Sequence, residues 1–143
     1  MLADSLATIG LGEAIDYRPD PSSRVDMWEV LGIRAAHRAG LTGRGVRIGI
    51  LGTGIDAQHP DLAQRVVAYR DFVDEREEPF DPNGHGTFIA GVIAGNGKAS
   101  NGRWIGVAPG AELVVARVLD AQGNGRRSTV MAGLEWAAAQ DGV

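Results

Sequence analysis

The stretch from Val46 to Leu62, VRIGILGTGIDAQHPDL, holds the first place where this sequence could do chemistry. Six residues without a carboxylate, Val46 to Leu51, read as a buried parallel strand that runs straight into a Gly52-Thr53-Gly54 turn. In an open α/β sheet, ligands and catalytic groups gather at the carboxyl end of such a strand. Gly52, Gly54 and Ala57 also satisfy the GxGxxA form of the dinucleotide fingerprint, in which a helix N-terminus holds a pyrophosphate. Pro60 weighs against a Rossmann-like dinucleotide site: it belongs at the first turn of a helix, and a helix opening there starts too late to reach a phosphate at Gly52.

Two further blocks follow this one. Asn83 to Gly95 reads NGHGTFIAGVIAG and Gly106 to Gly125 reads GVAPGAELVVARVLDAQGNG. With GILGTGIDAQHPDL they resemble, in order and spacing, the signatures of the subtilisin-like serine proteases over roughly Leu31 to Val143. The resemblance implies an α/β fold, a parallel sheet flanked by helices, forming the N-terminal part of a subtilisin-like peptidase domain over residues 26–143 behind an N-terminal arm at 1–25. The implied activity is serine endopeptidase chemistry on an extended peptide or protein. The alternative from another class is a pseudo-protease module that holds peptides without cutting them.

Peptide-bond cleavage in the family needs a serine nucleophile, a histidine that takes and returns its proton, and an aspartate that orients and stabilises that histidine. The histidine of the matching signature is His85. The aspartate belongs immediately after the first strand, where this chain has Gly52, and glycine can neither hold an imidazole tautomer nor offset imidazolium charge. In a subtilisin, itself a member of this family, losing that aspartate alone lowers turnover on the order of 10⁴-fold. Asp56, four residues on, is expected to point elsewhere. Neither Ser100 nor Ser128 has the GTSxA context of the family nucleophile, and Ser128 reads as a helix N-cap. The serine and the oxyanion-binding asparagine are therefore expected from the remainder of the domain, in cis or as a second chain, and this part is expected to expose apolar surface without it.

Gly123-Asn124-Gly125 aligns with the family segment that pairs with substrate by strand addition, and Leu119 with the Gly123 region is expected to line a side-chain pocket. The resemblance also implies a structural calcium between Asp61 of the HPDL segment and oxygens of the loop around Asn96 to Asn101, Asn101 among them. His37 and His59 lack paired metal-site spacing and read as surface or packing residues.

Composition supports a packed domain and narrows the partners. The 143 residues are 44% hydrophobic and include 21 glycines, which suits a fold with many tight turns. A formal charge of -4 supplies no field for nucleic acid. Without cysteine there is no disulfide or thiolate site, and the redox compartment is not indicated. No run of about 18 apolar residues reads as a membrane span. The opening MLADSLATIGLGEAI is interrupted by Asp4 and Glu13 and lacks the basic start of a secretory signal, so localisation is left open.

The elements that must position these groups are legible as periodicities. Asp26 and Glu29 form a capping pair for a helix over Met27 to Ala39, stopped by Gly40. Strands are expected at Val46 to Leu51, Val66 to Val73 and Glu112 to Leu119. A helix from His85 to Ala94 turns Phe88, Val92 and Gly95 to one face, with small residues Ala90, Gly91 and Ala94 permitting close packing on the sheet. A closing helix from Ser128 to about Gln140 carries an apolar stripe of Met131, Leu134 and Ala138. The acidic stretch Asp74 to Asp81 reads as a surface loop.

Overall fold

The structure, a computed structural model, describes residues 6–8 and 27–143. Strand β1 (Leu6–Thr8) is followed by two short helices, α1 (Met27–Val30) and α2 (Ile33–Arg38). The single helix expected there is broken because Gly32 sits at φ +70°, outside the helical basin. Gly40, at φ +79°, ends the pair as expected. Asp26, half of the expected capping pair, and most of the arm at 1–25 lie outside the described residues.

Three parallel strands make the central sheet: β2 (Arg47–Gly52), β3 (Val66–Asp71) and β4 (Glu112–Arg117), in the order β2-β4-β3. β4 lies between the others because it is the most apolar, and from Leu113 to Leu119 the chain is buried throughout. Helix α3 (His85–Ala94) packs on one face through Gly86, Ala90 and Ala94. Helix α4 (Arg127–Ala138) packs through Gly133 and Ala137 against β4 and β2. Small residues at these contacts allow close approach; a Cβ at Gly133 would collide with Val118. Ile50, Ile55, Leu62, Leu113 and Val115 form the core with α3, while Ala116, Val118 and Leu119 form a second cluster.

Ala90 and Ala94 of α3 pack on the sheet as expected, whereas the α4 stripe of Met131, Leu134 and Ala138 faces outward. Phe88 is 65% exposed, and Val92, Met131 and Leu134 are exposed as well. The sheet selects small side chains for its contacts, so the larger ones turn outward. The N-cap of α4 is Arg126, with Ser128 inside the first turn rather than capping it. The acidic stretch is more than a solvated loop: Asp74 shares the buried Arg117 guanidinium with Asp71, each accepting a 2.7 Å hydrogen bond from Nη1. Asp71 and Arg117 are register partners at the ends of β3 and β4 and are almost wholly buried.

Candidate active site

The carboxyl end of β2 meets the N-terminus of α3. Strand pairing carries Gly52 to the edge of the sheet opposite Arg117, and the Thr53-Gly54 turn then passes under the first turn of the helix. The approach is so close that a Cβ at Gly86 would collide with the Gly54 carbonyl oxygen. Gly54, at φ +120°, faces the Phe80 backbone equally tightly. Position 52 differs: a Cβ there would meet only Gly86 Cα, at 3.9 Å, an ordinary van der Waals contact. A side chain at residue 52 would thus leave the strand beside the residue that follows His85.

His85 is the first residue of α3 and is half-buried. Helices begin with N–H groups that have no intrahelical partner, and the N-cap here, Gly84, has no side chain to offer. Neighbouring segments supply the acceptors. Asn83 Oδ1 accepts from His85 N–H at 3.2 Å, Thr53 Oγ1 from Gly86 N–H at 2.9 Å and Asp81 Oδ2 from Thr87 N–H at 2.8 Å. Burial pushes the Asp81 carboxyl pKa up, but hydrogen bonds from the Thr87 hydroxyl and N–H, Gly84 N–H and the Thr53 hydroxyl outweigh it and hold the group below its ordinary value. Sequence reading missed Thr53, Asp81 and Thr87; the available signal was an aspartate four residues before a histidine that opens a helix behind a glycine cap.

The Asp56 carboxylate stays out of this cluster. It is exposed, and its Oδ1 accepts from Gln58 N–H in a local turn. Residues 53–64 form turns and open no helix, so the Gly52 turn does not run directly into a helix as the dinucleotide fingerprint does. His59 Nδ1 accepts from Asp61 N–H, and His37 Nε2 lies 2.8 Å from the Val107 carbonyl oxygen; both are packing contacts.

Beyond β4 the chain turns through Asp120 to Gly123 into β5 (Asn124–Arg126). Gly123 holds φ +79° in the turn, and a Cβ at Gly125 would strike the Val118 carbonyl oxygen. Asp120 Oδ1 accepts from Gln122 and Asn124 N–H, which stiffens the turn. β5 pairs antiparallel with β1, Leu6 opposite Arg126 and Thr8 opposite Asn124. Leu119 is 8% exposed within the second core cluster, and the cavity of about 400 Å³ beside β5 is lined instead by Phe72, Val118, Asn124, Gly125 and Thr129. Leu119 packs with Ala116 and Val118, and its Cδ2 lies against Gly125, which does line that cavity. Asn83 ties the two regions together: its Nδ2 donates to the Ala121 carbonyl at 2.8 Å.

The calcium that the resemblance implies falls between Asp61 and the loop Asn96 to Asn101. Asp61 does lie against the loop, and Oδ1 accepts from Ala99 N–H at 2.6 Å and its carbonyl from Asn96 N–H at 3.0 Å. The loop backbone thereby fixes one oxygen of the carboxylate, as is common for carboxylates that ligate cations. Asn101 is exposed at φ +51° and caps the short 3₁₀ turn Lys98–Ser100. Among the described residues no three His, Cys, Asp or Glu side chains group as metal ligands.

Comparison with known proteins agrees with this architecture. The model of the subtilase family, Peptidase_S8, matches residues 43–143. Serine protease AprX of Bacillus subtilis is 44% identical over 67% of this chain and 22% of its own length. Subtilisin Savinase of Lederbergia lenta is 48% identical over 72% of the chain and 36% of its own. A solved cold adapted subtilisin-like serine proteinase superposes with a TM-score of 0.61 at 36% identity, covering 71% of this chain and 34% of that one. The chain therefore spans between about a fifth and a third of these relatives. With the Gly52 turn, the His85 helix and the Gly123-Asn124-Gly125 strand all inside the matched residues, the chain belongs to the subtilase family.

Proposed function

We propose that this chain is the N-terminal portion of a subtilisin-like serine endopeptidase. It contributes the general base, His85, and one wall of the peptide-binding site, while the family aspartate is replaced by Gly52. The observation that carries this reading is the placement of residue 52 at the end of β2, its Cβ direction open toward the first turn of α3. A carboxylate there would stand beside the histidine-bearing turn, which is where an orienting aspartate must act. The nucleophile comes from the remainder of the domain, in cis or as a second chain, and packs on the exposed outer face of α3, where Phe88, Val92 and Trp104 are uncovered.

The substrate is an extended peptide that adds to β5, where main-chain groups supply affinity. Support comes from β1, an extended segment already paired antiparallel with that edge. A strand edge has one set of hydrogen-bonding groups, so substrate competes with Leu6–Thr8 for Asn124–Arg126. The test is a serine-directed phosphonate probe applied to the full-length protein or assembly, alongside its Gly52→Asp variant. Covalent labelling that strengthens in the variant supports the reading; no labelling of either leaves a peptide-holding module without hydrolytic activity.

A further inference from the structure

Five hydrogen bonds converge on the carboxylate of Asp81, and their directions matter. Oδ1 accepts from the Thr53 hydroxyl at 2.8 Å, Gly84 N–H at 2.9 Å and Asn83 N–H at 3.2 Å. Oδ2 accepts from Thr87 N–H at 2.8 Å and the Thr87 hydroxyl at 2.6 Å. An ionised carboxylate is an acceptor only, so both threonine hydroxyls must spend their protons on it. Their lone pairs are thereby turned to other donors: Thr53 Oγ1 takes Gly86 N–H at 2.9 Å, and Thr87 Oγ1 takes Asp56 N–H at 2.9 Å.

The two threonines stand on opposite sides of the site. Thr53 follows Gly52 at the end of β2 and is fully buried, whereas Thr87 lies two residues past His85 in α3. A rigid anion between them controls how far the strand end stands from the helix start, and how that helix is rolled about its axis. Glycines at 54 and 86 leave no side-chain packing to do this, since each makes its contact through bare backbone.

We propose that Asp81 is a positioning residue of the active site, a clamp through Thr53 and Thr87 that fixes residue 52 against the His85-bearing turn. The inference rests on the peptidase reading for its catalytic consequence, but the clamp itself is open to measurement without turnover. The isosteric Asp81→Asn replaces one acceptor by an N–H donor that faces donors already there, and Thr53→Val removes the other half of the link at equal volume.

Two arms test it, both in the full-length protein. In the first, NMR on the Gly52 protein follows amide exchange at Gly86 and Thr87 and the imidazole resonances of all three histidines. Asp81→Asn and Thr53→Val are each expected to speed exchange at both amides and to displace the His85 resonances, with His37 and His59 unchanged. In the second, the Gly52→Asp background is assayed for peptide hydrolysis, where Asp81→Asn should lower kcat on the order of 10²-fold with KM within about twofold. The double variant should lose no more than the worse single one, because both break one link. Unmoved His85 resonances, or an unchanged kcat with only a lower melting temperature, would overturn the proposal. If the Gly52→Asp protein neither cuts nor labels, the peptidase reading fails and the NMR arm alone decides the clamp.

Discussion

The N-terminus of α3 and the strand β5 are neighbours joined through Asn83, yet they present different chemistry. At α3, side chains from three residues satisfy the N–H groups of the first turn, and a half-buried carboxylate links strand to helix. At β5 the groups on offer belong to the main chain, the glycine at 125 has no room for a side chain, and the N-cap of the helix that follows, Arg126, makes no side-chain cap hydrogen bond. Catalysis needs particular side chains held to a fraction of an ångström, which a saturated polar network provides. On the proposed function, peptides of varied sequence are held by what they share, their backbone, at a strand edge that β1 occupies in this structure.

That contrast is broken most forcefully at Gly52. In a protein that also carries its serine, Gly52→Asp should raise kcat on the order of 10³- to 10⁴-fold, about 4 to 5 kcal/mol of transition-state stabilisation. Binding of a non-cleavable peptide should stay within about twofold, since β5 is untouched. An initial-rate assay beside a fluorescence titration separates the two. No gain in rate would show that the missing carboxylate is not what limits the site.

The next effect concerns the scaffold beneath both regions. Arg117→Met leaves the Asp71 carboxylate buried without its cation, and should cost about 3 to 5 kcal/mol in a denaturant melt. Both regions should then lose function together, because Asp71 and Arg117 close the strand ends from which each departs.

Changes at β5 should be smaller and confined to binding. Gly125→Ala forces the backbone away from Val118 and should weaken peptide affinity about tenfold, with the His85 resonances unchanged. Deleting residues 1–8 should act in the opposite sense, tightening peptide binding by freeing the edge that Leu6–Thr8 occupies. Isothermal titration with one extended peptide reads both, and equal affinity after the deletion would remove β1 as a competitor.

The smallest expected effect is on acid stability. The Asp81 and Asp71 carboxyls both have folded-state pKa values below the ordinary one, so the unfolded chain binds more protons there and stability rises with pH. Their contribution is fully present above the unfolded carboxylate pKa of about 3.9 and is lost as pH falls from there through the lower folded values. Asp81→Asn should therefore flatten the acid limb of a melting-temperature profile below about pH 4. An unaltered acid limb would argue that its hydrogen bonds do not depend on charge.

Periodic and local features were readable because the information is held in adjacent residues. The helix His85–Ala94 has the bounds expected for it, and the strands at Arg47–Gly52, Val66–Asp71 and Glu112–Arg117 fall within one or two residues at most ends. Signature spacing likewise pointed to His85 and Gly52, which stand at the start of α3 and the end of β2. The break at Gly32 was less legible, since a glycine inside an otherwise helical pattern is compatible with either outcome.

What no local pattern contained was the partnership of residues far apart in the chain. Thr53 and Asp81 are 28 residues apart and Asp71 and Arg117 46, and each pair meets only because the parallel crossovers bring strand ends together. The same holds for the orientation of α4: periodicity named Met131, Leu134 and Ala138, while the sheet admitted Gly133 and Ala137 because close packing rewards small side chains. Asp61 shows the limit in one residue, its position beside the loop following from motif order, its bond to Ala99 N–H set by where the folded backbone points its donors.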